Sequence, residues 1–385
     1  MGETLDLLVF VDALGWELAG REGILDDVCR ERRPLKTVLG YSCACVPTIL
    51  TGRSPAEHGH FAFWVRATGR SPFAGLSWLR FLPKALTRRG RVRHLLSGLV
   101  KRWLGFTGYF ELYNVPFEAL PLLDYTEQRD LYRPGGIHSG DTTLLDDLER
   151  AGVPVHVSDW RRPDAENLRS LDRALTEGQP RFAFLYLGGL DAVLHRTGTR
   201  ADEPGQRVAW YDEQLRRALD RASARYGTVR LHVVSDHGMD DVTRTVDVAG
   251  TLAHAGLVAW EDHVALLDST MARFWFVEPE SRERVYRALS DLPGGRFLSV
   301  EELKTLGCHF DDHRFGEAIW LADAGVCIHP GHMGERPLVG MHGYHPEGRN
   351  SWATYLGTHA PPGPLADLRD VRGLVQQSVL GAVTA

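Results

Sequence analysis

Apolar residues along this chain fall into short, near-continuous runs separated by longer stretches of helical spacing. Leu5–Val11 reads as a buried strand that ends at Asp12. Phe182–Leu187 is a second such run, leading into Gly188-Gly189-Leu190-Asp191, and Val229–Ser235 is a third, leading into Asp236. Val153–Val157 is a shorter one. Between the runs, Asp141–Ala151 places Leu144, Leu145 and Leu148 on one helical face and is stopped by Gly152. A longer amphipathic helix runs from about Glu203 to Tyr226, with Val208, Tyr211, Leu215 and Leu219 at helical spacing. Another is expected from Ser42 to Thr51, closed by Gly52 and a Ser54-Pro55 turn. The alternation predicts an α/β fold with a mostly parallel central sheet and helices on both faces. In such sheets ligands gather at the carboxyl ends of the strands, where Asp12, Asp191 and Asp236 all fall.

Two segments break the alternation and read as insertions. Residues 61–135 are basic and aromatic, with Trp64, Trp78 and Trp103 among several Phe and Tyr. Residues 250–335 hold a small α+β unit, with a strand at Arg273–Val277 and a helix from Glu280 to Leu289. The core is therefore expected to comprise residues 1–60, 136–249 and 336–385. Its tail begins with a loop, Thr358 to Pro364, before a short final helix.

Composition adds limits rather than detail. At 385 residues, with 43% hydrophobic and 24% charged residues, the chain can bury a large core. Its start lacks the basic and then long apolar segments of a signal peptide, and no apolar run approaches the roughly 18 residues of a membrane helix. Five scattered cysteines (Cys29, Cys43, Cys45, Cys308 and Cys327) argue against a disulfide framework. A cytoplasmic location is the expectation. Charge is more telling: between Glu57 and Glu111 there are ten Lys and Arg residues and no acidic one, in a chain whose net charge is −6. Three readings of this block stand: a cap whose arginines receive an anionic substrate, an amphipathic surface that lies on anionic lipid through residues 79–104, or a solvated helical face packed through its leucines. No module for sequence-specific nucleic-acid binding is present.

The candidate chemistry lies at the strand ends. Asp236-His237 offers a carboxylate oxygen and an imidazole nitrogen at one point, a donor pair suited to zinc, manganese or iron. Asp191 and His195 are four apart, on one face of a helix. Gly340-Met341-His342-Gly343 supplies another imidazole, and Ser42 in Gly40-Tyr41-Ser42-Cys43-Ala44-Cys45 is a nucleophile candidate. Taken singly, Asp12 or Ser42 could be a helix cap and His342 a loop histidine. Their common position at strand ends argues otherwise. His58 and His60 are expected to stabilise the turn after the Ser42 helix, and His345 to approach the site.

In order and spacing, these motifs resemble the alkaline phosphatase superfamily, most closely its nucleotide pyrophosphatase/phosphodiesterase branch. The resemblance covers Leu5 to about Gly357, apart from the basic insertion. It implies two divalent metal ions, zinc being the family expectation, with manganese or iron also compatible. One would be held by Asp191, His195 and His342, the other by Asp12, Asp236 and His237 with the oxygen of Ser42. It further implies attack by Ser42 on a phosphorylated small molecule, a phosphoseryl enzyme and its hydrolysis by water. The branch usually has Pro two and Asn three residues after the nucleophile. Here those positions hold Ala44 and Cys45, so the Asn contact to a phosphoryl oxygen must come from a backbone N–H at the helix start or from an insertion residue. Rival readings are a phosphomonoesterase on the same metal core, with the basic block supplying charge, and a non-catalytic binding protein of this fold. Cys45-Val46-Pro47-Thr48 resembles a sulfatase nucleophile motif, but Ile49 stands where that motif needs Arg.

Overall fold

The computed structural model describes residues 3–82 and 89–381. Six strands form the central sheet: β1 (Thr4–Val11), β2 (Glu31–Leu35), β3 (Val155–Val157), β4 (Phe182–Leu187), β5 (Thr228–Val234) and β6 (Ala353–Gly357). Their spatial order is β2-β6-β5-β1-β4-β3. β1 runs parallel to both β4 and β5, and β3 parallel to β4, whereas β6 is antiparallel to β5 and β2. The sheet is thus mostly parallel, and the expected α/β architecture is present.

The period-two alternation of β1 decides how the layers form. Leu5, Leu7, Val9 and Val11 pack with Leu171, Val208, Tyr211 and Leu215 on one face. Leu8 and Phe10 point the other way, toward Ile49, Leu145, Leu148, Leu374 and Val375. Helices cover both faces because both are apolar. Asp12 continues the even-numbered series past the end of the strand, and the register pairs Val11 with Leu187 and Phe10 with Val234. The three neighbouring parallel strands therefore end together, at one edge.

Helix boundaries shift by a few residues from the sequence reading. The Asp141–Ala151 stretch is helical only over Leu144–Arg150, because Thr143 and Asp146 form a capping box that starts the helix there. The long helix spans Asp202–Ser223. Three helices bear on the site: α1 (Ser42–Thr51), α2 (Gly90–Leu104) and α3 (Gly189–Thr197).

Beside the central sheet, four antiparallel strands (His263–Leu267, Met271–Phe276, Ala318–Ala322 and Gly295–Phe297) form a second one. Its core includes Phe274, Trp320 and Ile319, and reaches Leu39, Tyr41 and Phe61 next to α1. Residues of the basic aromatic segment make their own cluster, with Trp64, Phe73, Phe110 and Tyr125 packed on Trp275 of that second sheet. Among the described residues no helix is long and apolar enough to cross a membrane.

Candidate active site

All seven residues singled out at the strand ends converge. Asp12 follows β1, Asp236 and His237 follow β5, and α3, which begins directly after β4, carries Asp191 and His195 on one face with Nε2 3.2 Å from Oδ1. His342 arrives from a two-residue strand, Gly340–Met341, paired antiparallel with Asp240–Asp241. Its Nε2 lies 3.7 Å from the same Asp191 oxygen. The rings of His237 and His342 stack with centroids 3.6 Å apart. Ser42 is the first residue of α1, after Tyr41 as its cap, so it is not itself the cap. Its Oγ is 3.1 Å from His237 Nε2. Asp12 does not cap a helix either, since the following one starts at Trp16 after Gly15.

Two groups of donor atoms are close enough to share an ion: Asp191, His195 and His342, and Asp12, Asp191 and His237. The first matches the expected set. The second contains Asp191 where Asp236 was expected. Asp236 nevertheless sits at the same point, with Oδ2 3.1 Å from His237 Nε2 and Oδ1 accepting the Ala13 N–H at 3.2 Å. Asp191 therefore faces both groups.

Whether these residues suit cations can be judged from their unspent polar atoms. Asp12 Oδ1, Asp191 Oδ1, Asp236 Oδ2 and His342 Nδ1 are buried without a hydrogen-bond partner among the described residues, although some lie within ion-pair distance. Such orphaned atoms are rare in native interiors unless something binds there. Burial, and then repulsion from Asp236 and Asp191, push the Asp12 carboxyl well above the usual range. Burial works against a charged His237, but Asp236, Asp12 and Asp191 outweigh it and push its pKa up to about 10. Burial, with His237 and His195 nearby, pulls His342 well below its usual value, leaving a neutral imidazole of the kind metals bind. Surplus carboxylate charge with neutral imidazole beside it fits two divalent ions, whose binding would displace the protons that otherwise relieve the strain.

Surrounding groups fix the donors. His195 Nδ1 is 2.8 Å from the Gly340 carbonyl and His237 Nδ1 is 2.9 Å from the Gly238 carbonyl, which leaves each Nε2 facing inward. Tyr186 donates to Asp12 Oδ2 at 3.0 Å. The Tyr41 hydroxyl is 2.9 Å from Thr270 Oγ1, which in turn lies 3.0 Å from the Gly343 carbonyl. One hydroxyl pair thus ties the start of α1 to the loop carrying His342. Sequence pattern gave no sign of Tyr41, Tyr186 or Thr270, because each acts only through contacts made in the fold.

Ser42, Asp12, Asp191, His195 and His342 open on a cavity of about 430 Å³. Its remaining wall is mostly apolar and aromatic, with Phe63, Tyr109, Tyr113, Tyr132, Trp160 and Glu127. No Lys or Arg lines it among the described residues. A cap whose arginines receive an anionic substrate, one of the three readings of the basic block, is therefore not what the described part of 61–135 builds. Instead that segment brings aromatic rings. Lys84 and Arg88 of the block lie outside the described residues.

Cys45, standing where the related branch has Asn, points away from the cavity, with Sγ 3.4 Å from Thr37 Oγ1. The Ala44 and Cys45 N–H groups both return to the Tyr41 carbonyl, which leaves those of Ser42 and Cys43 for a ligand. His58 meets Thr48 Oγ1 of α1 at 2.9 Å and its Nδ1 accepts the His60 N–H at 3.2 Å in the turn that follows, whereas neither ring nitrogen of His60 has a hydrogen-bond partner among the described residues. His345 does not approach the site: its Nε2 pairs with Glu302 at 3.2 Å, because Gly343, at φ +85°, turns the chain away after His342.

Comparisons with known proteins bear on the fold and the family. The chain superposes on murine ectonucleotide pyrophosphatase/phosphodiesterase 5 with a TM-score of 0.69 at 16% identity, over 98% of this chain and 95% of that one. An inactive variant of the murine protein in complex with AMP matches equally well, at 17% identity and the same coverage and TM-score. The human counterpart gives 0.68 at 13% identity, over 99% and 95%. None of the curated proteins matches the chain. The family model for type I phosphodiesterase/nucleotide pyrophosphatase matches residues 32–345, and the chain belongs to that family.

Proposed function

We propose that this protein hydrolyses phosphodiesters by attack of Ser42 Oγ on phosphorus, with a phosphoseryl intermediate. The observation that carries the reading is the placement of Ser42 at the head of α1. Its hydroxyl lies 3.1 Å from His237 Nε2 and borders the same cavity as Asp12, Asp191, His195 and His342, and the N–H groups of Ser42 and Cys43, unpaired among the described residues, stand ready for phosphoryl oxygens. Asp191, His195 and His342 would hold one divalent ion, and Asp12, Asp236 and His237 the other, with zinc the expected metal. When bound, the pair supplies positive charge that lowers the pKa of the Ser42 hydroxyl and neutralises charge at the phosphoryl group. Tyr186 orients Asp12, the Gly340 and Gly238 carbonyls orient His195 and His237, and the aromatic wall keeps bulk water from the attacked atom. As Ser42 Oγ bonds to phosphorus, one ester oxygen leaves as the alcohol and takes up the serine proton; water then attacks from the side opposite Ser42, breaking the Oγ–P bond, releasing the phosphate monoester and returning a proton to Ser42.

The lining favours diesters over monoesters. A monoester dianion needs more positive charge than a diester monoanion, and no Lys or Arg among the described residues reaches the cavity. Turnover of bis(p-nitrophenyl) phosphate is expected to exceed that of p-nitrophenyl phosphate. Ser42→Ala should abolish both while leaving two metal equivalents per chain by elemental analysis. A strong monoester preference, or full activity in Ser42→Ala, would overturn the reading.

For the surface of residues 79–104 we propose contact with anionic lipid, supported by the exposed side chains of α2. Residues 83–88 of that stretch lie outside the described residues.

A further inference from the structure

A second cluster of polar side chains lies around the turn after α1, outside the metal-ligand set. His60 is 1% exposed, and neither of its ring nitrogens has a hydrogen-bond partner among the described residues. A buried neutral imidazole carries one donor and one acceptor in either tautomer, and leaving both unanswered is costly. Burial, and then the neighbouring His138, pull its pKa down to about 3, so the ring is neutral and offers one N–H. His58 does not answer it. That residue accepts the His60 backbone N–H at Nδ1 and directs Nε2 to Thr48, with the two rings 5.9 Å apart.

His60 borders a cavity of about 120 Å³, shared with Arg66, Arg314, His138 and Asp124. The two arginines are neighbours across the backbone, since the Arg66 N–H donates to the Arg314 carbonyl at 2.8 Å. Neither guanidinium is saturated. Arg66 meets a carboxylate only at 3.9 Å, from Glu317, whose Oε1 already accepts the Phe276 N–H. Arg314 directs Nε to Asp312 at 2.6 Å, and its terminal nitrogens have no hydrogen-bond partner among the described residues. Asp124 is the one carboxylate of this lining among them, and its Oδ1 is held by the Tyr125 N–H at 2.7 Å and the Gln128 amide at 2.9 Å.

The donor set decides the ligand class. A tightly held transition-metal ion takes three or more protein donors, and among the described residues no group of three able to share an ion includes His60. Two guanidiniums and an imidazole N–H instead present donors from three residues. A planar carboxylate is satisfied by one forked arginine, whereas a tetrahedral oxyanion has an oxygen for each of the three. We propose that His60, Arg66 and Arg314 form a second ligand site, separate from the metal centre, for a phosphate-type oxyanion.

The experiment is equilibrium dialysis of the metal-loaded protein against radiolabelled inorganic phosphate at fixed ionic strength, with Arg66→Met/Arg314→Met and His60→Phe alongside. Thermal unfolding of the double arginine variant should match wild type, since both side chains reach the surface, and so reports an intact fold. Both variants are expected to lose one phosphate equivalent relative to wild type, through an affinity weakened roughly tenfold or more. In wild type that equivalent should survive removal of the metals by chelator, which separates it from any phosphate held at the metal centre. Unlabelled methyl phosphate that displaces the label identifies an esterified phosphate as an occupant; failure to displace restricts the site to free phosphate, and either result keeps the site. Acetate that displaces the label as well as phosphate does would overturn the assignment to a tetrahedral oxyanion. Equal stoichiometry in wild type and the double variant, or loss of the same equivalent on chelation, refutes the site.

Discussion

At the scale of single residues, the site works by leaving groups unpaired. Asp12, Asp191 and Asp236 each keep a buried oxygen without a hydrogen bond among the described residues, and their concentration at one point is what a bound cation would complete. Replacing His342 by Ala is therefore expected to remove one metal equivalent, read by elemental analysis after dialysis, while Asp12, Asp236 and His237 retain the other. Loss of both ions or of neither would show that the donors do not divide this way. Glu127 gives a second prediction, on stability. Burial, and then Asp130, push its folded pKa up to about 8, above the ordinary 4.5, so the folded state favours the protonated form. The stability that this contributes is complete below about pH 4.5 and is lost as pH rises through about 8. Urea unfolding of wild type should weaken over that window by roughly a few kcal/mol relative to Glu127→Gln; parallel pH profiles of the two proteins would refute this. The metal-site candidates were legible in the sequence because Asp and His at strand ends are uncommon and recur here in order. Glu127 was not, since a lone glutamate between Thr126 and Gln128 carries no local pattern. Its surroundings come from residues 63, 109, 113 and 160, joined only by folding.

Among elements, close backbone approach sets the geometry. A Cβ on Gly238 would meet the Asn350 carbonyl oxygen at 2.0 Å, and one on Gly15 would meet Gly238 Cα at 2.5 Å. These two glycines let the turns after β1 and β5 touch, which brings Asp12 and Asp236 side by side. Gly238→Ala should destabilise the fold by about 1–3 kcal/mol in urea unfolding and weaken metal retention as well; unchanged stability would mean that the turns have slack. The second sheet is held by another device. Arg273, fully buried, pairs with Asp268 at 2.8 Å and donates to the Trp64 carbonyl at 2.8 Å. Arg273→Ala strands a buried carboxylate and is expected to cost about 3–5 kcal/mol by the same measurement. The parallel strands were readable because burial on both faces makes them continuous apolar runs. β2 was missed for the opposite reason. Glu31-Arg32-Arg33-Pro34-Leu35 is polar and carries a proline, which only an edge position allows, and pairing with β6 supplies what its sequence does not. The helix at Asp164–Glu177 was missed too, since only Asp164, Asn167, Leu171 and Leu175 are buried along it and two of those are polar.

For the whole molecule, the outstanding feature is where the basic block puts its charge. Among the described residues Arg66, Arg70, Arg80, Arg89, Arg91 and Arg102 are exposed, Arg93 is buried and Lys101 half-buried, and none of them lines the cavity. Leu95, Leu99 and Trp103 repeat every four residues along the outer face of α2, flanked by exposed Arg91, His94 and Arg102. Val100 on its inner side packs with Phe73, Leu76 and Leu79, so the segment Ala74–Phe81 lies against the same helix and adds exposed Trp78, Arg80 and Phe81. These five large apolar side chains are 56–76% exposed, a concentration unusual for a surface that meets only water. Glu111, the first acidic residue after the block, pairs with His94 and Ser97 and leaves the basic excess unbalanced. Aromatic and aliphatic side chains among arginines match the boundary of an anionic bilayer, where rings and chains enter the headgroup layer while guanidinium groups meet phosphates. On its other side α2 leads through Gly105 into the loop that carries Tyr109 and Tyr113. A bilayer at this surface would therefore lie next to the loop that shapes the substrate pocket. Co-sedimentation with vesicles should show binding to mixed phosphatidylserine/phosphatidylcholine but little to phosphatidylcholine alone, and binding should fall with salt. Each basic residue near such a surface contributes about 1 kcal/mol, and each buried large apolar side chain about 1.5–3 kcal/mol. Leu99→Ser with Trp103→Ser should thus reduce partitioning by roughly tenfold or more, without altering hydrolysis of a soluble diester. Equal binding to neutral and anionic vesicles, or no loss in the double variant, would rule the lipid surface out and leave α2 a solvated helical face.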